Sequence, residues 1–188
     1  MDGSVLVVSG PSGAGKTTIS RLLAATLPLS VHMRTDDFMF FVTNGWVEPW
    51  LPDAAHQNAV IGAAMASAAT QFAVGGYTVI LDGHWFREGV RGVAEICGRR
   101  GVSVHCAILR PDLSTCLARV AQRQASPKPW VRPRPSEAMD DAALSSLHAR
   151  FNDLGDCEAN VIDASGTPEE VAAAVLSAFA SGRLGTPL

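Results

Sequence analysis

The feature of this sequence that most constrains its fold is a glycine-rich stretch, Gly10 to Thr17, between an apolar run and a helix-forming segment. Its spacing, G-x-x-x-x-G-K-T after an expected strand and before an expected helix, is typical of a phosphate-binding loop. Such a loop turns backbone N–H groups inward on a phosphate, and the N-terminus of the next helix adds partial positive charge. We therefore predict that Lys16 binds the β- and γ-phosphates of a nucleotide and that Thr17 offers its hydroxyl to Mg²⁺. The predicted nucleotide-binding loop residues are Gly10, Pro11, Ser12, Gly13, Ala14, Gly15, Lys16, Thr17 and Thr18.

Size and charge favour one globular domain acting on a small molecule. The chain has 188 residues, of which 47% are apolar and 18% charged, an ordinary composition for a single domain. Its formal net charge of −3 argues against general binding to nucleic acid or to a membrane surface, because that binding depends on accumulated Lys and Arg. The sequence leaves the oligomeric state open.

Cysteine spacing and the longest weakly polar run bear on the compartment. The four cysteines form no C-x-x-C pair, which favours structural thiols in a reducing, cytoplasmic setting. We expect no signal peptide before the first strand. The run 59–81 is interrupted by Gln71, Gly75 and Gly76, so we expect helix, turn and strand there and no membrane span.

Apolar runs alternate with segments of helical spacing along the chain. Strands are expected at 5–8, 31–33, 78–81, 102–109 and 160–163. Helices are expected at 18–27, 53–75 with a cap near Asp53, 88–100, 112–123, 136–152 and from Thr167 onward, where a capping box begins. The alternation predicts one α/β domain, residues 1–180, with a parallel sheet and helices on both faces. Residues 181–188 are expected to form a frayed, flexible tail.

Acidic residues follow two of the expected strands. Asp36 and Asp37 come after the second strand, and Asp82 ends the hydrophobic run of the third, a Walker B pattern. In a parallel α/β sheet ligands bind at the carboxyl ends of the strands. We therefore expect these acids and the glycine-rich loop to meet in one crevice.

Four features together resemble the small P-loop kinases: the loop, Asp36, Leu81-Asp82-Gly83, and Arg119-x-x-x-Arg123. This group includes nucleotide, nucleoside, gluconate and shikimate kinases, polynucleotide kinase and the chloramphenicol phosphotransferases, and the resemblance covers nearly the whole chain. It implies a three-layer domain with a five-stranded sheet in the order 2-3-1-4-5 and a lid. It also implies transfer of the γ-phosphoryl group of ATP, with Mg²⁺, to an alcohol group. Thr17 and Asp82 are then the metal-side residues.

The same resemblance assigns Asp36 as the acceptor of the proton from the hydroxyl group. Chloramphenicol phosphotransferases show a single Asp here, whereas the pair Asp36-Asp37 is more like polynucleotide and nucleoside kinases. The resemblance therefore leaves the acceptor open, and it also leaves open which of the two acids is the base. A solvated turn or a helix cap is the alternative role for both.

A basic segment begins at Arg119 and Arg123. The further cations are Lys128, Arg132 and Arg134, among four prolines, and no acid lies between Asp112 and Glu137. Such a run alone usually forms a solvated face. By resemblance it is the lid, residues 119–136, whose guanidinium groups neutralise charge in the transition state. We predict Arg119 and Arg123 as nucleotide-binding and catalytic residues.

The region expected to hold the acceptor, residues 37–75, is rich in aromatic side chains. No Lys or Arg occurs between Thr35 and Phe86, although Arg34, Arg87 and Arg91 flank the stretch. A buried anionic acceptor needs paired cations, so we expect an uncharged or cationic, partly apolar acceptor such as an antibiotic or nucleoside-like metabolite. The predicted acceptor-binding residues are Asp36, Asp37, Phe38, Phe41, Trp46, Trp50 and Trp85.

Two other functions compete with a small-molecule kinase. An NTP-driven switch is disfavoured because no N-K-x-D guanine motif occurs. A polynucleotide 5′-kinase is disfavoured by the negative net charge and the lack of any other basic stripe. A nucleotide kinase is disfavoured by the lack of Lys and Arg between Thr35 and Phe86. His84 is more often a satisfied polar residue than a catalytic one, and the other histidines have no metal-ligand spacing.

Overall fold

The structure, a computed structural model, describes residues 3–125 and 139–186. Strands and helices alternate along these residues, as the sequence predicts. The strands are β1 (Ser4–Ser9), β2 (Ser30–Arg34), β3 (Thr78–Asp82), β4 (Ser103–Leu109) and β5 (Val161–Ile162). The helices are α1 (Lys16–Thr26), α2 (Thr35–Met39), α3 (Ala55–Val74), α4 (Arg87–Gly98), α5 (Leu113–Ala125), α6 (Asp141–Ala149) and α7 (Pro168–Ala180). Short 3-10 helices, Pro52–Ala54 and Gly155–Asn160, precede α3 and β5.

The strands form one sheet in the order β2-β3-β1-β4-β5, and every neighbouring pair is parallel. This confirms the predicted α/β domain and its strand order 2-3-1-4-5. Alternate residues of β1 point to opposite faces of the sheet. Val5 and Val7 pack in a core with α3 and α4, while Leu6 and Val8 pack in a second core with α1 and α7. Since both faces are covered, β1 is apolar along its whole length.

The register of β1, β2 and β3 places Asp36, Asp37 and Asp82 near the glycine-rich loop. Arg34 at the end of β2 is paired with Asp82 at the end of β3, and Val8 of β1 is also paired with Asp82. The three strands therefore end at the same height, directly before α2, the Asp82-Gly83 turn and the glycine-rich loop.

The two predicted helix caps had different outcomes. At α7 the capping box is confirmed: Thr167 Oγ1 accepts from the backbone N–H of Glu170, and Glu170 Oε2 accepts from that of Thr167. The expected cap of α3 near Asp53 is wrong. Asp53 lies inside the preceding 3-10 helix, and α3 begins after Ala54 without a side-chain cap.

The expectation of a frayed tail from residue 181 is also wrong as far as the described residues reach, to Thr186. Leu184 is fully buried, and its carbonyl accepts from the backbone N–H of Cys106 at 2.9 Å. Gly185 forms an antiparallel bridge with His105. Strand β5 pairs only with the last two residues of β4, so the segment covers the backbone edge of β4 that β5 leaves open. Residues 187–188 lie outside the described residues.

All four cysteines are buried with free thiols, and burial raises the pKa of each. No helix within residues 3–125 and 139–186 has both the length and the apolar character to cross a membrane.

Candidate active site

The glycine-rich loop curls tightly between β1 and α1. Gly10 has φ 143°, and a Cβ there would lie 2.2 Å from the carbonyl oxygen of Leu109 at the end of β4. Gly13 and Gly15 also have positive φ values, 83° and 93°. Helix α1 starts directly after Gly15, so Lys16 and Thr17 occupy its first turn. The loop therefore has the backbone form that presents N–H groups and a helix N-terminus to an anion.

The ammonium group of Lys16 is held over this loop. Its Nζ donates to the carbonyl oxygens of Gly10 and Pro11, each at 2.9 Å, and lies 3.2 Å from Nε2 of His84. Lysine has no acceptor, so Nε2 of His84 accepts in this contact. The same nitrogen lies 3.2 Å from Oγ of Ser12. His84 therefore contacts both the loop and its lysine.

Asp82 is an ionised, buried carboxylate next to Thr17. Its side chain is 4% exposed, and Nε2 of His32 lies 3.2 Å from its Oδ2. Burial alone raises the pKa of Asp82, but the hydrogen bond from His32, the charge of Lys16 and a hydrogen bond with Thr17 together lower it below its usual value. Mg²⁺ at nucleotide sites takes one or two protein oxygen ligands and the rest from phosphates and water. The oxygens of Thr17 and Asp82 fit that need.

Helix α2 brings Asp36 to the same place. Thr35 Oγ1 donates to the carbonyl oxygen of Asp82 at 3.1 Å, which fixes the start of α2 against β3. This approach requires glycine at position 83, because a Cβ there would lie 2.0 Å from Thr35 Oγ1. Arg34 then pairs with both acids, at 3.3 Å from Asp36 and 3.4 Å from Asp37. Asp37 is the more exposed of the two, with 55% of its side chain accessible against 23% for Asp36.

Two cavities open at this edge of the sheet. The first, which we call the phosphate-loop cleft, has a volume of about 320 Å³. Arg119 lies at its side, and its guanidinium donates to the carbonyl oxygens of Gly13 and Ala164 at 3.4 Å each. Its lining consists of loop residues, acids, two arginines of α5 and the turn into α7: Ser12, Gly13, Ala14, Gly15, Lys16, Thr17, Thr18, Ile19, Asp36, Asp82, Gly83, His84, Arg119, Arg123, Ala164, Gly166, Pro168 and Val171.

The second cavity, which we call the aromatic cleft, has a volume of about 620 Å³ and lies between α2, α3, α4 and α6. Trp50, Trp85 and Phe86 form aromatic parts of its wall. Ser9 Oγ holds the backbone of Trp85 through a donated hydrogen bond of 2.7 Å and an accepted one of 2.9 Å. Asp36 and His84 line both clefts. The two cavities therefore meet at these two side chains.

The structure separates the predicted acceptor-binding residues into two groups. Asp36, Trp50 and Trp85 line the aromatic cleft, whereas Asp37, Phe38, Phe41 and Trp46 do not. Phe38 packs against the core on the α3 side of the sheet, and Phe41 is 73% exposed. The sequence showed the aromatic character of this segment but not which rings face the cavity.

The three flanking arginines stay outside the aromatic cleft, but another arginine enters it. Arg87 lies 2.6 Å from Asp156 and Arg91 3.9 Å from the same carboxylate, while Arg34 holds the two acids of α2. Arg150, directly after α6, lines the cleft with its guanidinium 3.5 Å from the ring centroid of Phe86. The sequence does not predict Arg150 as a lining residue, because it lies far beyond the stretch from Thr35 to Phe86 that was expected to form the acceptor pocket.

Other lining residues were also missed. His84 received no role, although it follows Asp82-Gly83 at the predicted ligand-binding edge, which was the available signal. Ala164 and Gly166 follow β5 and lie at the same edge. Of the basic segment, Arg119 and Arg123 lie on α5. Residues 126–138 are outside the described residues, and with them Lys128, Arg132, Arg134 and most of the predicted lid.

The fold and the site define a P-loop domain, and the family comparison agrees. The AAA domain family AAA_33 matches residues 5–154, and the chain belongs to this family. No curated protein matches the sequence significantly.

Solved structures similar to this chain include a sugar kinase, a tunicamycin resistance protein and an APS kinase. A sugar kinase from Janibacter sp. HTCC2649 has 21% identity and a TM-score of 0.66, with 95% of each chain covered. The tunicamycin resistance protein of Deinococcus radiodurans has 19% identity and a TM-score of 0.62, with 99% of each chain covered. The Mycobacterium tuberculosis APS kinase CysC in complex with AMPPNP and APS has 14% identity and a TM-score of 0.65, with 95% of this chain and 98% of the other covered. The fold of this chain is therefore that of small-molecule P-loop kinases.

Proposed function

We propose that this protein is an ATP-dependent phosphotransferase that transfers the γ-phosphoryl group to a hydroxyl of an uncharged or cationic, partly apolar small molecule. One observation carries the proposal: the phosphate-loop cleft and the aromatic cleft meet at Asp36 and His84. A carboxylate at the junction of a donor site and an acceptor site is where a hydroxyl nucleophile has to be oriented.

The proposed roles follow from where each side chain lies. Asp36 accepts the proton of the acceptor hydroxyl. The oxygen of that hydroxyl forms a bond to the γ-phosphorus, while the bond between this phosphorus and the bridging oxygen breaks and ADP leaves. Lys16, Arg119 and Arg123 line the phosphate-loop cleft and stabilise the negative charge on the transferred group and on ADP. Thr17 and Asp82 would hold Mg²⁺, which would supply further charge neutralisation at the phosphates.

The charges of the aromatic cleft support an acceptor without a phosphate group. Among the described residues its acids are Asp36 and Glu88, and its arginine is Arg150. The guanidinium of Arg150 is stacked on Phe86 at the exposed side of the cavity. A dianionic group in the cleft would lie near Glu88 and near Asp36, which Arg34 already pairs, and the cleft offers it only the exposed guanidinium of Arg150 among the described residues. The cost of removing water from that group would therefore be poorly offset.

Arg150 also favours a second candidate, a kinase for an anionic acceptor such as a nucleoside monophosphate. An ATP-consumption screen distinguishes the two functions. The library contains hydroxylated metabolites, nucleosides, antibiotics and nucleoside monophosphates, and each reaction is run with the wild type and with Arg150→Ala. We expect the best acceptor to be uncharged or cationic and its turnover to persist in Arg150→Ala. Efficient use of a monophosphate that is lost in Arg150→Ala contradicts the proposal and supports the second candidate.

A further inference from the structure

Between α3 and α4 the aromatic cleft forms a groove, and small residues line it on both helices. They recur at a spacing of three or four, so they share one face of each helix. The small residues that line the groove are Ala55, Ala59, Gly62 and Ala63 on α3, and Gly89 and Gly92 on α4.

Packing explains one of these glycines. A Cβ atom placed at Gly89 would lie 3.3 Å from a ring atom of Trp85, a tight contact, whereas a Cβ at Gly62 would lie 3.7 Å from the same indole, an ordinary van der Waals distance. A Cβ at Gly92 would have no atom within 4 Å. Glycine in the middle of a helix destabilises it relative to alanine. No packing contact therefore requires the destabilising glycine at position 92 of α4, and the space beside Gly92 belongs to the cavity.

Gly98 is a natural comparison within the same helix. A Cβ there would also have no neighbour within 4 Å, and its φ is not positive. However, Gly98 is the last residue of α4, it is exposed, and it does not line the cleft. The two glycines differ in where an added side chain would point.

Two buried polar atoms of the aromatic cleft have no hydrogen-bond partner among the described residues. Trp85 is only 7% exposed, and its Nε1, on the side of the indole that faces Gly83, is one of them. Asn58 on α3 also lines the cavity, and its buried Oδ1 likewise has no hydrogen-bond partner among the described residues. Its Nδ2 donates to the carbonyl oxygen of Pro49 at 2.8 Å. An apolar groove with a few polar atoms is the usual form of a site for a drug-sized molecule.

We propose that the acceptor is an alcohol with a ring-sized apolar body, and that this body lies against Gly92 in the groove between α3 and α4 and beside Trp85. Gly92 sets the largest body that the cleft admits. This inference rests on the proposed function for the position of the hydroxyl at Asp36. The size limit itself follows from the cavity.

The test uses an uncharged fluorescent probe, N-phenyl-1-naphthylamine, and two matched variants, Gly92→Leu and Gly98→Leu. Both add the same side chain to α4, but only the first points it into the cleft. We expect wild type and Gly98→Leu to bind the probe with the same Kd within about twofold, and Gly92→Leu to bind it about tenfold or more weakly. Gly92→Ala should give a smaller decrease, and ATP binding should be equal in all four proteins.

Circular dichroism and thermal unfolding establish that the variants are folded, and Gly92→Ala is the fallback if the leucine variant is not. Equal probe affinity in Gly92→Leu and Gly98→Leu, or no probe binding by the wild type, overturns the inference. Because probe binding needs no phosphoryl transfer, its failure in an active kinase leaves the proposed function standing. Conversely, if the probe binds as expected but the protein transfers no phosphoryl group, the proposed function is wrong and the binding site in the groove remains supported.

Discussion

The two clefts are built in different ways. The phosphate-loop cleft is built around one contiguous stretch, residues 12–19, and its chemistry comes from backbone groups, Lys16, Asp82 and the arginines of α5. The aromatic cleft is assembled from side chains on four helices, most of them apolar. This difference teaches that the centre of the phosphate-loop cleft is determined by local sequence, whereas the aromatic cleft depends on how distant helices pack. The predictions below test each side separately.

Among the variants that test one cleft alone, the largest effect is expected from Lys16→Ala. Its ammonium lies on the carbonyl oxygens of Gly10 and Pro11 and outside the apolar cores, so the fold should persist. We predict a loss of turnover on the order of 10²–10³ or more, because charge stabilisation at the phosphates is removed. Turnover assays show the loss, and thermal unfolding is the control. A folded variant with wild-type turnover contradicts the role of the loop.

The arginines of α5 should come next. We predict that Arg123→Ala lowers turnover by roughly 10² and that Arg119→Ala has the second largest effect. Both side chains line the phosphate-loop cleft, and they lie one turn apart on a helix that fixes their direction. Arg132→Ala and Arg134→Ala should have weaker effects. If both α5 variants keep full turnover, the basic segment is a solvated face.

The smallest effect is expected at the exposed side of the aromatic cleft. For an uncharged acceptor, Arg150→Ala should change kcat/KM by less than about threefold, because an exposed cation contributes little to binding a neutral molecule. Nucleoside monophosphates should remain poor acceptors in both proteins. Steady-state kinetics with one neutral acceptor and one monophosphate provide the measurement. A much larger loss for the neutral acceptor means that the guanidinium binds it directly.

The loop residues that line the phosphate-loop cleft could be predicted from the sequence, for a physical reason. The loop, its strand and its helix are contiguous, and each residue type has a requirement that can be named, such as the glycine at position 10 under Leu109. The strand order came from the resemblance to P-loop kinases, and the register of β2, β3 and β1 then brought Asp36, Asp82 and the loop together.

The acceptor side was predicted only in part. Aromatic residues pack in cores as readily as in pockets, so their type alone did not separate Trp85, which lines the cleft, from Phe38, which packs against the core. Arg150 lies directly after α6, more than sixty residues beyond Phe86, where the stretch without Lys or Arg ends. From the sequence, Gly92 is only a residue that lowers the stability of α4. That the space beside it is part of a cavity depends on how α4 packs against α3.

The central claim is that Asp36 is the base between the two clefts, and the neighbouring acid provides the matched control. Asp36→Asn and Asp37→Asn remove one charge each from the pair held by Arg34, but only Asp36 lines the clefts. The most direct measurement is the mass of a neutral acceptor after incubation with ATP, together with the Kd for ATP. We predict one added phosphoryl group with wild type and Asp37→Asn, a loss of roughly 10²–10⁴ in rate with Asp36→Asn, and the same Kd for ATP in all three. Equal rates in the two variants, or a greater loss in Asp37→Asn, would contradict the claim.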